Sequence, residues 1–291
     1  MKELVVISGK GGTGKTSIVG AFCHLASNKV IADCDVDAAD LHLLVFPEII
    51  IESHPFEGGK TAYIDKERCI LCGECLYLCR FKAISEEIEI ASFLCEGCGL
   101  CVAACPENAI TLRQETAGNW FISTTKYGPF VHAKLGIAQE NSGLLVAQVR
   151  LAAKKIAEEQ FRDLIIIDGP PGIGCAVISS ITGADLVLLI TEPTLSGIHD
   201  MERTLELTSY FHIKTLVCIN KFDINTEMSD KIKKICAHKG TDMIGKIPYD
   251  SAVTQAQING RSVIEYKDSE AASSIAKLWD VVNLYLKNNS H

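Results

Sequence analysis

No apolar run in this chain approaches the roughly 20 residues that a membrane-spanning helix needs. A basic surplus is lacking as well: 28 Lys and Arg face 36 Asp and Glu, for a net charge of −8. Without a global positive field there is little to gather phosphate backbones or anionic lipid, so nucleic acid is not an expected partner and a membrane is an unfavoured one. Nor is an export leader expected, because Lys2-Glu3 runs straight into Leu4-Val5-Val6-Ile7-Ser8, too short an apolar stretch for secretion. The expected compartment is the reducing cytoplasm, where thirteen cysteines imply metal or redox chemistry rather than a disulfide framework.

A hydrophobic content of 47% is ample for a buried core. Short apolar runs ending at Gly, Asp or Asn recur at Leu4–Ile7, Val30–Ala32, Leu164–Ile167, Leu186–Ile190 and Leu216–Ile219. Each reads as a strand buried on both faces, as in parallel sheets. Helical patterns separate them at Thr16–Ser27, Ser142–Gln160, Ile198–Phe211 and Ser229–His238. Strand and helix alternate, so the predicted class is α/β, a mostly parallel sheet flanked by helices.

One stretch breaks the rhythm. Eight of the thirteen cysteines fall between Cys69 and Cys105, and every cysteine from Cys69 to Cys79, with Ala83-Ile84, recurs 26 positions later at Cys95–Cys105 and Ala109-Ile110. Turn-forming residues flank the stretch, at His54-Pro55 and Glu57-Gly58-Gly59 before it and Glu115–Asn119 after it. The expected organisation is a core in two segments, residues 1–60 and 116–291, interrupted by a small α+β insertion at 61–115.

Gly9-Lys10-Gly11-Gly12-Thr13-Gly14-Lys15-Thr16 matches GxxxxGK[ST] between the first strand and the first helix. In that setting the glycines let backbone N–H groups close on phosphate oxygens, the helix N-terminus adds positive potential, Lys15 meets the terminal phosphates and the Thr16 hydroxyl takes Mg²⁺. The candidate nucleotide set therefore runs through Gly11, Gly12, Thr13, Gly14, Lys15, Thr16 and Ser17. Asp33-Cys34-Asp35 ends the second strand, and Asp168-Gly169-Pro170-Pro171-Gly172 follows Leu164–Ile167. Aspartates at the carboxyl ends of buried strands face the ligand crevice of an open sheet, which suits Asp168 to a place near Mg²⁺ and the glycines after it to a γ-phosphate sensor. Asn220-Lys221-Phe222-Asp223 stands where a base-binding loop belongs; by itself NKxD suggests guanine, through Asp223, or a plain turn.

Taken together, these motifs resemble the MinD/ParA/Mrp-type ATPases, whose deviant phosphate loop carries an extra lysine near its start, here Lys10. The likeness continues at Asp33-Cys34-Asp35, Asp168-Gly169-Pro170-Pro171-Gly172, Asn220 and Ile247-Pro248-Tyr249-Asp250. The resemblance implies an ATPase that works as a nucleotide-dependent dimer, with itself or a similar chain. Lys10 would reach the partner's phosphates, Lys15 would hold its own, Asp35 would orient the attacking water, and Thr16, Asp35 and Asp168 would surround Mg²⁺. Adenine would be read at Asn220 with backbone near Pro248, while Asp223 leaves guanine open.

The cysteine stretch resembles two-cluster bacterial ferredoxins, since Cys69-x-x-Cys72-x-x-Cys75-x-x-x-Cys79 and Cys95-x-x-Cys98-x-x-Cys101-x-x-x-Cys105-Pro106 are two copies of their run. In that run the fourth cysteine ligates the neighbouring cluster, so one [4Fe-4S] cluster is expected on Cys69, Cys72, Cys75 and Cys105 and the other on Cys95, Cys98, Cys101 and Cys79. Arg80 replaces the proline after the first copy, which removes a φ constraint and no ligand. Zinc is the rival, though it favours separated pairs of ligands over triplets.

Cys23, Cys34, Cys175, Cys218 and Cys236 are scattered singly, and most read as buried small hydrophobes, with Cys175 the exception to weigh. Cys175 lies seven residues beyond Asp168, the spacing at which the related nitrogenase iron protein places a cluster ligand, but the region around Gly136-Ile137-Ala138 offers no second cysteine; a structural role is expected. The C-terminal stretch from Ile275 through Trp279 to Leu286 has helical spacing and only Lys277 and Lys287 as cations, so it is expected to pack on the core rather than on a membrane. Three functions stay open: an ATP-gated electron carrier with a redox partner, an iron–sulfur assembly carrier with an apo-protein client, and a positional switch in which the cysteine module docks or senses.

Overall fold

The apolar runs become strands because each buries both faces, and the pattern of helices between them forces the strands to run parallel. The computed structural model describes residues 1–136, 142–266 and 268–288. In chain order its elements are β1 (Lys2–Ser8), α1 (Lys15–Leu25), β2 (Lys29–Asp33), α2 (His42–Val45), β3 (Pro47–Ile64), α3 (Glu74–Leu78), α4 (Leu100–Ala104), β4 (Ile110–Thr125), β5 (Gly128–Leu135) and α5 (Ser142–Glu159). They continue with β6 (Leu164–Pro171), α6 (Cys175–Ile181), β7 (Leu186–Thr191), α7 (Leu195–Tyr210), β8 (Thr215–Asn220), α8 (Thr226–His238), β9 (Asp242–Ile247), α9 (Ser251–Ile258) and α10 (Glu270–Asn288).

The sheet order is β3-β4-β5-β2-β6-β1-β7-β8-β9. Every pairing from β5 to β9 is parallel. Alternate residues of the central strands serve the two faces. Leu4, Val6, Ile31, Ile166, Leu188 and Leu216 enter one core with α1 and α10. Their neighbours Val5, Ile7, Ile165, Ile167, Val187 and Val217 are equally buried, so the opposite face is covered as well. The chain leaves β1 and returns as β2 beyond β6, and this reversal of direction around β1 makes a crevice at the carboxyl ends of β1, β2 and β6.

The first compact unit comprises Met1–Ser53, Trp120–Lys134 and Ser142–His291. Its C-terminal helix α10 sets Ile275, Leu278, Trp279, Val282 and Leu286 into the core, and Trp279 meets Phe22 of α1 with ring centroids 5.0 Å apart. That use of the apolar stripe explains why it carries so few cations. Among the described residues no helix is long and apolar enough to cross a membrane.

The second unit comprises His54–Asn119 and Leu135–Asn141. Its two halves obey the 26-residue repeat in three dimensions. Helices α3 and α4 are both five residues long and offset by 26, each preceded by a left-handed glycine, Gly73 at φ 80° and Gly99 at φ 76°. A small core of Ala62, Ile64, Ile84, Ile88 and Ile110 lies among the cysteines. Strands β3, β4, β5 and β9 were not legible as apolar runs: β3 carries Pro55 and Gly58-Gly59, and β4 and β5 alternate polar with apolar residues.

His132 on β5 stacks between Phe130, at 4.5 Å, and Phe121, at 5.1 Å. Burial, helped by His42, lowers its pKa to about 4 from 6.5. A folded-state pKa below the unfolded one favours the neutral ring, so its contribution is complete above about pH 6.5 and is lost as pH falls toward about 4. Urea midpoints should therefore fall over that window, and the fall should be smaller in His132→Phe, so that the wild-type-minus-variant difference varies with pH; a variant profile identical to wild type would remove His132 from the acid response.

Candidate functional site

The phosphate loop lies between β1 and α1, and its conformation follows from two left-handed glycines, Gly12 at φ 79° and Gly14 at φ 83°. Gly14 has a second reason to lack a side chain, because a Cβ there would strike the Asn220 amide. Asn220 ends β8 and donates from Nδ2 to the Thr13 carbonyl at 2.7 Å, tying the base loop to the phosphate loop. Together these elements line a cleft of 560 Å³ that includes Gly11, Gly12, Thr13, Gly14, Lys15, Thr16, Ser17, Asp35, Asn220 and Pro248.

Lys15 is 5% exposed and sits among three acids from the ends of two strands, β2 and β6. Its ammonium is 2.5 Å from Asp168 Oδ1 and 3.4 Å from Asp35 Oδ2. Burial alone would lower the Lys15 pKa, but Asp168 and Asp35, with Asp33 behind them, outweigh it and hold the group above the usual lysine value. Asp33 is fully buried, and burial followed by the charge of Asp168 raises its pKa well above the carboxylate range. Asp35 is raised too, by burial against the opposing pull of Lys15. In parallel register Asp33 lies beside Asp168, so the two acids meet at the carboxyl edge of the sheet. Asp33 accepts from the backbone N–H groups of Asp35 at 3.1 Å and Leu41 at 3.2 Å, which makes it the anchor of the loop carrying Asp35. Strand β6 runs on through Pro171, and Gly172 donates its N–H to the Ser8 carbonyl at 2.9 Å, so the proposed sensor segment is pinned to the end of β1.

Several polar residues outside the sequence motifs complete the site. Lys10 does not line the cleft; its ammonium rests on Ser196 Oγ at 3.1 Å, Thr194 Oγ1 at 3.3 Å and Glu192 Oε2 at 3.5 Å, all on the β7–α7 side. Glu192 also pairs with Lys221 at 2.6 Å, and Lys221 reaches the Gly12 carbonyl at 3.3 Å. Gln257 of α9 holds the Ser17 hydroxyl at 2.7 Å. Glu192 and Gln257 carried no local motif, and only the crossover of the chain brings them to the loop. Asp223 does not line the cleft; its Oδ1 accepts from the Tyr249 N–H at 2.7 Å and ties the two loops together.

In the second unit the cysteines fall into two foursomes. Cys79, Cys95, Cys98 and Cys101 border a cavity of 250 Å³, with Arg80, Glu96 and the Ala62 backbone among its walls. Cys69, Cys72, Cys75 and Cys105 border a narrower one of 10 Å³ with Pro106 and Glu107. Each foursome joins one CxxCxxC triplet to the fourth cysteine of the other copy. Backbone N–H groups point at three of the sulfurs: Ala83 at Cys79 and Ala109 at Cys105, both 3.3 Å, and Ala62 at Cys95, 3.4 Å. Among the described residues no three His, Cys, Asp or Glu side chains converge on one ion position.

The five remaining cysteines divide. Cys23, Cys34, Cys218 and Cys236 are buried, as expected of small hydrophobes, but Cys175 is exposed at the start of α6. Packing does not account for it, because the turn after Gly172-Ile173-Gly174 lifts it to the surface. Ile137 and Ala138, where a second cysteine was sought, lie outside the described residues.

An open parallel sheet with a glycine loop at its switch point and an aspartate on the neighbouring strand defines a P-loop nucleotide-binding protein. Residues 4–263 match the CobQ/CobB/MinD/ParA nucleotide-binding domain, and the chain belongs to that family of P-loop ATPases. It is 36% identical over 228 residues to an uncharacterized protein of Methanocaldococcus jannaschii, covering 77% of this chain and 79% of that one. A 53-residue stretch, 18% of the chain, is 40% identical to the pyruvate synthase subunit PorD of Methanothermobacter marburgensis, 65% of whose length it covers. An iron–sulfur cluster carrier protein of Pyrococcus horikoshii is 25% identical over 130 residues, 40% of this chain and 43% of that protein. The fold is that of the Pyrococcus horikoshii septum site-determining protein MinD solved with Mg-ADP, with a TM-score of 0.61 at 17% identity over 99% of this chain and 98% of that one.

Because the Asp223 carboxylate is spent on Tyr249, Asp223→Ala should weaken ATP and GTP binding alike, by roughly tenfold for a lost charge-assisted hydrogen bond. Equilibrium titration with both nucleotides checks this; a loss confined to GTP would return Asp223 to base recognition.

Proposed function

We propose that the chain is an ATP-hydrolysing iron–sulfur protein, acting as a nucleotide-dependent dimer with itself or a similar chain, that couples hydrolysis to electron transfer through two [4Fe-4S] clusters. The observation that carries the iron–sulfur half is the pairing of each cysteine triplet with the fourth cysteine of the other copy around a shared cavity. Cys69, Cys72, Cys75 and Cys105 would hold one cluster and Cys95, Cys98, Cys101 and Cys79 the other, within an inserted domain at about residues 61–115 between core segments 1–60 and 116–291. The donor set fits: four thiols to each cavity, with backbone N–H groups aimed at their sulfurs. The narrower cavity must spread its thiols on loading. Bound there, the clusters would supply one-electron redox capacity.

In the core, Gly11, Gly12, Thr13 and Gly14 turn their backbone to the phosphates, Lys15 neutralises them, and Ser17 and Thr16 lie at the first turn of α1. Thr16, Asp35 and Asp168 would hold Mg²⁺, Asp35 would orient water, and Asn220 with Pro248 would border the adenine. Lys15 neutralises Asp35 and Asp168, so if it turned to the phosphates those acids would need a cation, which Mg²⁺ would supply. Lys10 leaves Glu192 when it reaches the partner's nucleotide. The printed name of the Pyrococcus carrier favours one second reading, in which the clusters are cargo delivered to an apo-protein.

The test is ATP hydrolysis by anaerobically reconstituted protein with clusters reduced and oxidised, beside Cys72→Ser. Coupling predicts rates that differ by about fivefold or more between redox states, the lower range of inter-site coupling, with the difference diminished in the variant. Equal rates in all three sink the electron-transfer reading, and movement of iron and sulfide to an apo-ferredoxin would establish the carrier instead.

A further inference from the structure

We infer that the two cysteine sites are unequal by construction, so that the first electron comes to rest at the site of Cys79, Cys95, Cys98 and Cys101. This rests on the cluster reading above. The second unit supplies its own control, because its halves correspond residue by residue at an offset of 26. Backbone angles follow that rule closely: Leu71 and Gly97 have φ 57° and 59°, and Lys82 and Asn108 have 53° and 48°. The N–H···S bonds from Ala83 to Cys79 and from Ala109 to Cys105 are one such pair, at 3.3 Å each. Departures from the repeat are therefore departures from equality.

The first concerns hydrogen bonding. Ala62 donates its N–H to Cys95 Sγ at 3.4 Å. The repeat would have Ile88 do the same for Cys69, but the Ile88 N–H is taken by the Ser85 carbonyl at 3.0 Å in a left-handed turn with Ile88 at φ 55°. Ala62 and Ile88 each line their own cavity, so the correspondence of place holds while the donor is lost.

The second concerns charge. Arg80 and Phe81 border the larger cavity where Pro106 and Glu107 border the smaller. Likewise Leu100 stands opposite to Glu74, and Glu96 to Ile70. The larger cavity is thus walled by one cation and one anion, the smaller by two anions. Arg68, which reaches the Glu107 carbonyl at 3.0 Å, does not line the smaller cavity. Reduction adds a negative charge to a cubane, which N–H dipoles and cations stabilise and carboxylates oppose. Both departures favour the electron at the larger cavity. Since the four charged side chains are exposed, solvent screens them, and the order of the two sites is a firmer consequence than the size of the gap.

The experiment is a dithionite titration of the anaerobically reconstituted whole chain, followed by electron paramagnetic resonance, beside Arg80→Gln and Glu107→Gln. Dithionite is oxidised as each cubane takes one electron, and no bond to the protein changes. Two one-electron steps are expected, with the larger site occupied roughly tenfold over the other at half reduction. Arg80→Gln should lower the upper midpoint alone and Glu107→Gln should raise the lower midpoint alone, so both narrow the gap. A single shared midpoint, or Arg80→Gln acting on the lower step, overturns the ordering while the clusters stand. Iron and sulfide short of two cubanes per chain overturns the cluster reading and the ordering with it.

Discussion

A lysine buried among three aspartates is the constraint on which the nucleotide site depends. Asp33, Asp35 and Asp168 arrive at one edge because β2 and β6 run parallel in register, and none of the three would tolerate burial without the ammonium of Lys15 beside it. The same pairing fixes Lys15 at the mouth of α1, and through it the loop that precedes the helix. A charge held by neighbours of opposite sign is preorganised, but on the proposed reading it would also be in demand: phosphates that attracted Lys15 would release two acids, and those acids would then favour a divalent ion. Nucleotide and metal would thereby be linked through one side chain.

The loops around this centre are tied by short polar contacts rather than by packing. Asn220 joins the base loop to Thr13, Lys221 joins it to Gly12, and Asp223 joins it to Tyr249. Glu192 takes both Lys10 and Lys221, so the lysine that distinguishes this phosphate loop is parked on the same carboxylate that steadies the base loop. Exchanging the ties of Lys221 and Asp223 costs little, because they are exposed and can be satisfied in another arrangement, whereas the tie from Asn220 to Thr13 is buried. Rigid strands behind and exchangeable ties in front suit a site that must close on a ligand.

The cysteine unit follows a different logic. It has a small apolar core for its length, and its regularity comes from duplication: paired glycines, paired five-residue helices and paired N–H···S bonds. Duplication makes two thiol foursomes, and small departures from it, a turn at Ser85–Ile88 and a charge pattern around Arg80 and Glu107, make them different.

The central strands, the phosphate loop, the acids at the ends of β2 and β6 and the cysteine triplets were legible in the sequence, because buried strands need unbroken apolar runs and phosphate and thiolate chemistry need particular residues at fixed local spacing. Strands β3, β4 and β9 were not, since they are stabilised by pairing with neighbours rather than by their own hydrophobic pattern. Glu192, Gln257 and the tie from Asp223 to Tyr249 were hidden for a related reason: each acts on residues distant in the chain and carries no local signature. Cys175, expected to have a structural role, is exposed, because composition cannot tell which side of a turn a residue will face. Local chemistry was decided by the sequence alone; which groups share a site was decided by the order of strands in the sheet, a property of long-range pairing that no short segment contains.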